Sequence, residues 1–103
     1  MKIYISVPIS GRPIEEARHE ADLTKRMLSI QGHQPVNPFE IYAGKNPTYE
    51  DHLACDLRAL MDCDAIYMCP GWGLSIGCTI EFNVIRHLNR RPGGKRYVVI
   101  YGR

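Results

Sequence analysis

Four short apolar runs alternate with longer amphipathic stretches along this chain. Lys2-Ile3-Tyr4-Ile5-Ser6-Val7 is rich in β-branched and aromatic residues and predicts a buried strand. Pro8 to Pro13 reads as a turn, with Ser10 and Gly11 permitting a tight bend. Pro13 suits the first position of a helix, Glu15 and Glu16 suit its first turn, and Gly32 supplies a stop after about Gln31. Ile14, Ala17, Ala21 and Leu28 share one face of that helix. Leu23, Met27 and Ile30 form a second apolar patch, more than one sheet contact requires, which predicts a homodimer or larger assembly.

Gln34 to Asn37 predicts a second strand, closed by Pro38, before a loop through Gly44 and Pro47. Thr48 reads as an N-cap with Asp51 in capping-box position, opening a helix to about Asp62. Ala65 to Cys69 is a third strand and Pro70 to Leu74 a turn. A third helix starts near Ser75 or Ile76 and ends near Asn89; Pro92-Gly93-Gly94 breaks the chain before a last strand, Tyr97 to Tyr101.

The order β-α-β-α-β-α-β needs helical crossovers. It therefore predicts a three-layer α/β fold with a short parallel sheet of four strands, flavodoxin-like or Rossmann-like, as one domain over residues 1–103. Right-handed crossovers bring the loops after each strand to one edge, where ligands of open α/β sheets bind. Pro8–Pro13 and Pro70–Gly77 are the two that stand out.

Composition narrows the picture. At 45% hydrophobic and 23% charged residues the chain has ordinary globular composition. No apolar run approaches the roughly 20 residues that span a bilayer. The opening Met1-Lys2-Ile3-Tyr4-Ile5 is interrupted too soon by Pro8 and Gly11 to read as a signal peptide, so a cytoplasmic protein with no membrane partner is expected. Cys55, Cys63, Cys69 and Cys78 form no C-x-x-C pair and sit in apolar stretches, as small buried hydrophobes do. His52-x-x-Cys55 with Cys63 lacks a fourth ligand at zinc-like spacing, so no metal is expected. Arg86, Arg90, Arg91, Lys95 and Arg96 concentrate positive charge where no acid intervenes. They suit a helix C-terminus, and without an aromatic-interleaved basic stripe a nucleic-acid partner is not expected.

On a helical wheel the third helix carries Cys78, Ile80, Phe82, Val84, Ile85 and Leu88 on one broad arc, with Glu81 near its middle. A carboxylate on a buried face is costly unless it is paired or its pKa is raised, which singles Glu81 out. Asp56 borders the apolar stripe of the preceding helix, beside Leu53 and Leu60; Asp62 and Asp64 bracket the turn into the third strand and read as caps. The Gly71–Gly77 run precedes a helix start, where N–H groups favour an anion and Ser75 can add a hydroxyl. It matches neither the dinucleotide fingerprint nor a P-loop. Trp72 fits a core aromatic or a platform for a flat ring. Two carboxylates converging on one crevice point to glycosidic-bond chemistry, one as nucleophile and one handling the proton.

Tyr4 in the first strand, Pro8-Ile9-Ser10-Gly11 after it, Asp56-Leu57-x-x-Leu60 through Asp64, and Ser75-x-Gly77-x-x-x-Glu81 resemble the nucleoside 2-deoxyribosyltransferase superfamily. Its relatives include the 2'-deoxynucleoside 5'-phosphate N-hydrolases. Closer still is a small domain family of unknown function with a Tyr-Ile-Ser-x-Pro start and a Gly-Trp-x-x-Ser turn. The resemblance implies Glu81 as nucleophile at C1' of the sugar, Asp56 assisting at the base or proton, and Tyr4 orienting Glu81. It also implies substrate contacts from Ser6, Pro8, Ile9, Ser10, Gly11, Arg12, Trp72, Ser75 and Gly77, with Ser75 favouring nucleotides over free nucleosides. Val7-Pro8 stands where the hydrolases have Gly-Ser, and Ser10 where they have an arginine. The expected function is cleavage or transfer of an N-glycosidic bond on a nucleoside or nucleoside 5'-monophosphate, with no metal or redox cofactor. The alternative is a non-catalytic nucleotide-binding or sensing module of the same fold.

Overall fold

A computed structural model describes all residues, Met1 to Arg103. The strands are β1 (Lys2–Ser6), β2 (Gln34–Val36), β3 (Ala65–Met68) and β4 (Val98–Tyr101). The helices are α1 (Ile14–Ile30), α2 (Tyr49–Met61) and α3 (Ile76–Arg90). The four strands form one parallel sheet in the order β2-β1-β3-β4. This is a three-layer, flavodoxin-like α/β arrangement. The chain leaves β1 toward one edge through α1 and reaches β3 and β4 toward the other through α2 and α3. Right-handed crossovers in opposite directions put α1 on one face of the sheet and α2 with α3 on the other.

Strand parity sorts the core into those two layers. Ile3, Ile5 and Val7 point one way and pack with Ala21, Leu28, Ala65 and Cys69. Tyr4 points the other way, into a cluster with Leu60, Cys63, Ile66, Met68, Cys78 and Ile85. Ser6 shares the parity of Tyr4, a placement that matters for the site. Every residue of β1 from Ile3 to Ser6 is fully buried, which explains its near-continuous apolar character.

Helix ends follow local chemistry. Thr48 caps α2: its hydroxyl accepts from the Asp51 N–H at 3.1 Å while the Asp51 carboxylate accepts from the Thr48 N–H at 2.9 Å. At α1 the structure differs from the sequence expectation, because Pro13 is the N-cap and not the first helical residue. Ile14 is consequently the first helical residue and is exposed, and Thr24 takes a place on the buried face with Ala17, Ala21 and Leu28. Leu23, Met27 and Ile30 are exposed, as a second apolar patch requires.

Two short 3-10 turns, Pro38–Glu40 and Trp72–Leu74, were not expected. The first begins at Asn37, whose side chain accepts from the Phe39 N–H; the second follows Gly71, at φ +85°, where any side chain would be strained. Tyr97 stays outside β4. Its backbone N–H and C=O are both bonded by the Asn89 side-chain amide, at 2.7 and 2.9 Å, which ties the end of α3 to the start of the strand. Asp64 accepts from the Lys2 N–H at 2.8 Å, which ties the turn before β3 to the start of β1, and Asp62 is the C-cap of α2.

Because both arms of the capping box satisfy otherwise unpaired N–H groups, Thr48→Ala should destabilise the fold by about 1 kcal/mol. Thermal denaturation followed by circular dichroism should show a midpoint several degrees lower, with Thr48→Ser close to wild type. An unchanged midpoint in Thr48→Ala would mean that α2 is held by packing alone.

Candidate active site

The two central strands, β1 and β3, send their crossovers in opposite directions, so the sheet has a switch point between them. Open α/β sheets leave a crevice at such a point, outside the carboxyl ends of the strands. Here it is bordered by the loop from Val7 to Pro13 and by the loop from Cys69 to Ser75. Ser75 then caps α3, its hydroxyl accepting from the Cys78 N–H at 3.3 Å. The helix starts at this cap, which brings Glu81 over the carboxyl end of β1.

Glu81 is only 8% exposed and both its oxygens are occupied. The Tyr4 hydroxyl donates to Oε2 at 2.5 Å and the Ser6 hydroxyl donates to Oε1 at 2.7 Å. The two donors are two residues apart on one strand, so parity alone puts them on the same face. This reproduces the juxtaposition of Tyr4 and Glu81 that the sequence pattern implied, and adds Ser6 as a direct partner.

Burial pushes the Glu81 carboxyl up from the usual 4.5 to about 7; the Tyr4 and Ser6 hydroxyls pull against that rise, and the charge of Asp56 adds to it. Burial likewise lifts Asp56 to about 6, with His52 opposing. Asp56 is half-buried on α2 and hydrogen-bonds to neither Tyr4 nor Glu81, yet its charge acts on both. Tyr4, deep in the core and beside Glu81, is held well above its ordinary pKa and remains a phenol that can donate. The site thus holds two carboxyls whose proton affinities lie near neutrality, the range in which acid and base roles are exchanged.

The remaining residues singled out from the sequence divide into groups. Pro8 is buried, whereas Ile9, Ser10 and Gly11 are exposed along the first loop. Arg12 turns back toward α1, donating to Glu20 at 2.6 Å and Glu16 at 3.1 Å. Trp72 packs on Phe82 at 4.7 Å between ring centroids and on Tyr101 at 6.1 Å, half-buried against the α3-side core. Ser75 is buried at the cap, and Gly77 is exposed in the first turn of α3 with open space where a Cβ would stand.

Cys78 was read from sequence only as a small hydrophobe. It lies between the Ser6 and Ser75 hydroxyls, and burial keeps its thiol protonated. Its one-turn offset from Glu81 on the same helix was the available signal. No three His, Cys, Asp or Glu side chains are grouped to hold a metal ion. A cavity of about 550 Å³ lies elsewhere: an apolar groove between α2 and α3 lined by Leu57, Met61, Ile80, Val84 and Leu88 with Asn83 and His87, and no carboxylate lines it.

The raised pKa of Glu81 carries a stability consequence. An unfolded chain releases this proton near 4.5, whereas the folded one keeps it until about 7. The ionised group therefore costs stability that is lost as pH rises through that window, on the order of 2–3 kcal/mol. Glu81→Gln should gain on wild type by about that amount between roughly pH 4.5 and pH 7.5 in urea denaturation. A difference that stays flat with pH would show that the carboxyl is not desolvated.

No curated protein matches the chain significantly. A family model does match, over residues 1–91, which include β1, β2, β3, α1, α2 and α3 together with Tyr4, Ser6, Asp56, Ser75 and Glu81. The chain belongs to that family, described as a domain of unknown function (DUF4406).

Proposed function

We propose that this protein cleaves or transfers the N-glycosidic bond of a nucleoside or nucleoside 5'-monophosphate, with Glu81 as the nucleophile. The observation that carries the reading is a nearly buried glutamate held at both oxygens by Tyr4 and Ser6, with a second carboxyl, Asp56, within electrostatic reach. Resemblance of the Tyr4, Asp56 and Ser75-x-Gly77-x-x-x-Glu81 pattern to the nucleoside 2-deoxyribosyltransferase superfamily supports the same chemistry.

In this scheme a carboxylate oxygen of Glu81 bonds to C1' of the sugar as the C1'–N bond breaks. The bonding pair leaves with the base, whose nitrogen takes a proton from Asp56 in its acid form. The result is a glycosyl ester on Glu81. Water or an acceptor base, giving up a proton to the Asp56 carboxylate, then attacks C1', the C1'–O bond to Glu81 breaks, and the Glu81 carboxylate departs. Tyr4 holds Glu81 throughout. No metal or redox cofactor takes part. Ser75, at the N-terminus of α3, is suited to a 5'-phosphate because unpaired N–H groups and the helix dipole favour an anion there.

Self-association belongs to the same proposal. The α1 patch of Leu23, Met27 and Ile30, exposed along the helix, is the surface for a second copy.

A panel of deoxynucleosides and their 5'-monophosphates, assayed for released base by chromatography, tests the chemistry. Wild type should release base with a bell-shaped pH profile that peaks between about pH 6 and pH 7, because Glu81 must be ionised while Asp56 keeps its proton. Glu81→Gln should abolish release, because Gln keeps the shape but is no nucleophile. Asp56→Asn should slow it by roughly 10²–10⁴-fold, the usual worth of a general acid. A 2'-fluoro analogue should leave a sugar adduct on Glu81 in the mass spectrum. Normal turnover by Glu81→Gln would refute the nucleophile assignment, and binding without release by wild type would make the domain a nucleotide sensor.

Light scattering should give twice 11.7 kDa or more for wild type and a monomer for Leu23→Glu. A monomeric wild type at micromolar concentration would remove the assembly from the proposal.

A further inference from the structure

The two hydroxyls that hold Glu81 are not equivalent. The Tyr4 ring is fully buried, and its oxygen is fixed by the packing of Leu60, Ile66, Met68 and Ile85 around it. The Ser6 hydroxyl turns on a single bond at the very end of β1, where the strand gives way to the loop bordering the crevice. It also lies beside the thiol of Cys78. A buried thiol stays protonated and is only a weak partner, so the Ser6 proton goes to the stronger acceptor, Oε1 of Glu81, at 2.7 Å.

We propose that Ser6 is a positioning residue for Glu81: its hydroxyl fixes Oε1 and favours the ionised, nucleophilic form of the carboxyl. The role rests on the glycosidic reading for its catalytic meaning, but the effect on Glu81 does not. The groups that face Glu81 from each neighbouring element are few. β1 contributes Tyr4 and Ser6, α2 contributes Asp56, and α3 itself contributes Cys78. Burial and Asp56 disfavour the charge, and no cation is among the groups that offset them. The two hydroxyls are then all that makes ionisation near neutral pH affordable, and Ser6 is the one that a substitution can remove without taking a large ring out of the core.

Glutamate-labelled protein followed by carbon NMR gives a direct readout, with the Glu81 signal identified by its loss in Glu81→Gln. In Ser6→Ala the Glu81 titration midpoint should rise by about one pH unit, the worth of a hydrogen bond to a charged group. Ser6→Cys, which keeps a γ atom in place of the hydroxyl oxygen but is only a weak donor, should raise it as well and covers the case in which Ser6→Ala fails to fold. Ser6→Thr keeps the hydroxyl and should return the midpoint toward wild type. Asp56→Asn should move it the other way.

Base release should follow: with Asp56 needed in its acid form, raising the Glu81 midpoint in Ser6→Ala lowers the rate several-fold up to about pH 7. KM stays unchanged, and the deficit relative to wild type closes above the raised midpoint. A midpoint that does not move in Ser6→Ala or Ser6→Cys, or that moves as far in Ser6→Thr, would overturn the proposal. Failure of the glycosidic reading looks different, since wild type then releases no base while the carboxyl titration still rises in Ser6→Ala.

Discussion

Placing a carboxylate on the inner face of α3 is the constraint around which the rest of this small domain is arranged. Glu81 occupies a position that an aliphatic residue would fill at no electrostatic cost, between Cys78 and Ile85 on the buried stripe of the helix. Burial pushes its pKa to about 7, and only directed hydrogen bonds limit the rise. Those bonds come from Tyr4 and Ser6, so β1 must be central, must be paired with β3, and must present that parity toward α3. The sheet order β2-β1-β3-β4 meets all three requirements.

The same constraint separates stability from function along the chain. On the α1 side of the sheet, Ile3, Ile5, Val7, Ala21 and Leu28 make an apolar layer broken only by Thr24, whose hydroxyl lies against the Cys69 thiol. On the other side the apolar cluster carries Tyr4, whose hydroxyl reaches out of the core to Glu81. One face of β1 therefore contributes hydrophobic burial alone, while the other also carries the hydroxyls that a buried carboxylate needs. Arg12 illustrates the division. Although it follows the first loop, its guanidinium is engaged by Glu16 and Glu20, on α1.

Much of the fold could be read directly from residue order. Three helices, four strands and the capping box at Thr48 follow from short-range chemistry, and boundaries shifted by only a residue or two. The departures have local causes. Pro13 caps α1 from outside it, and Tyr97 is held by Asn89 in place of a strand neighbour. The 3-10 turn at Trp72–Leu74 depends on Gly71 adopting a left-handed backbone. None of these alters the sheet.

The candidate site was legible in part. Glu81 stood out because a charge on an apolar helical arc is a visible conflict within three or four turns of sequence. Asp56 stood out less, since a border position fits a solvated acid equally well. The partnership of Ser6 with Glu81 spans 75 positions along the chain, and no periodicity relates them. The contacts of Trp72 with Phe82 and Tyr101, which come from α3 and β4, are likewise made only in the folded sheet. Local pattern thus determined which elements form and which residue is out of place in them. Which hydroxyls meet that residue, and how strongly its charge is disfavoured, depended on strand order and burial. Hydrogen bonds and desolvation act between groups brought together in space, and only the folded sheet decides which groups those are.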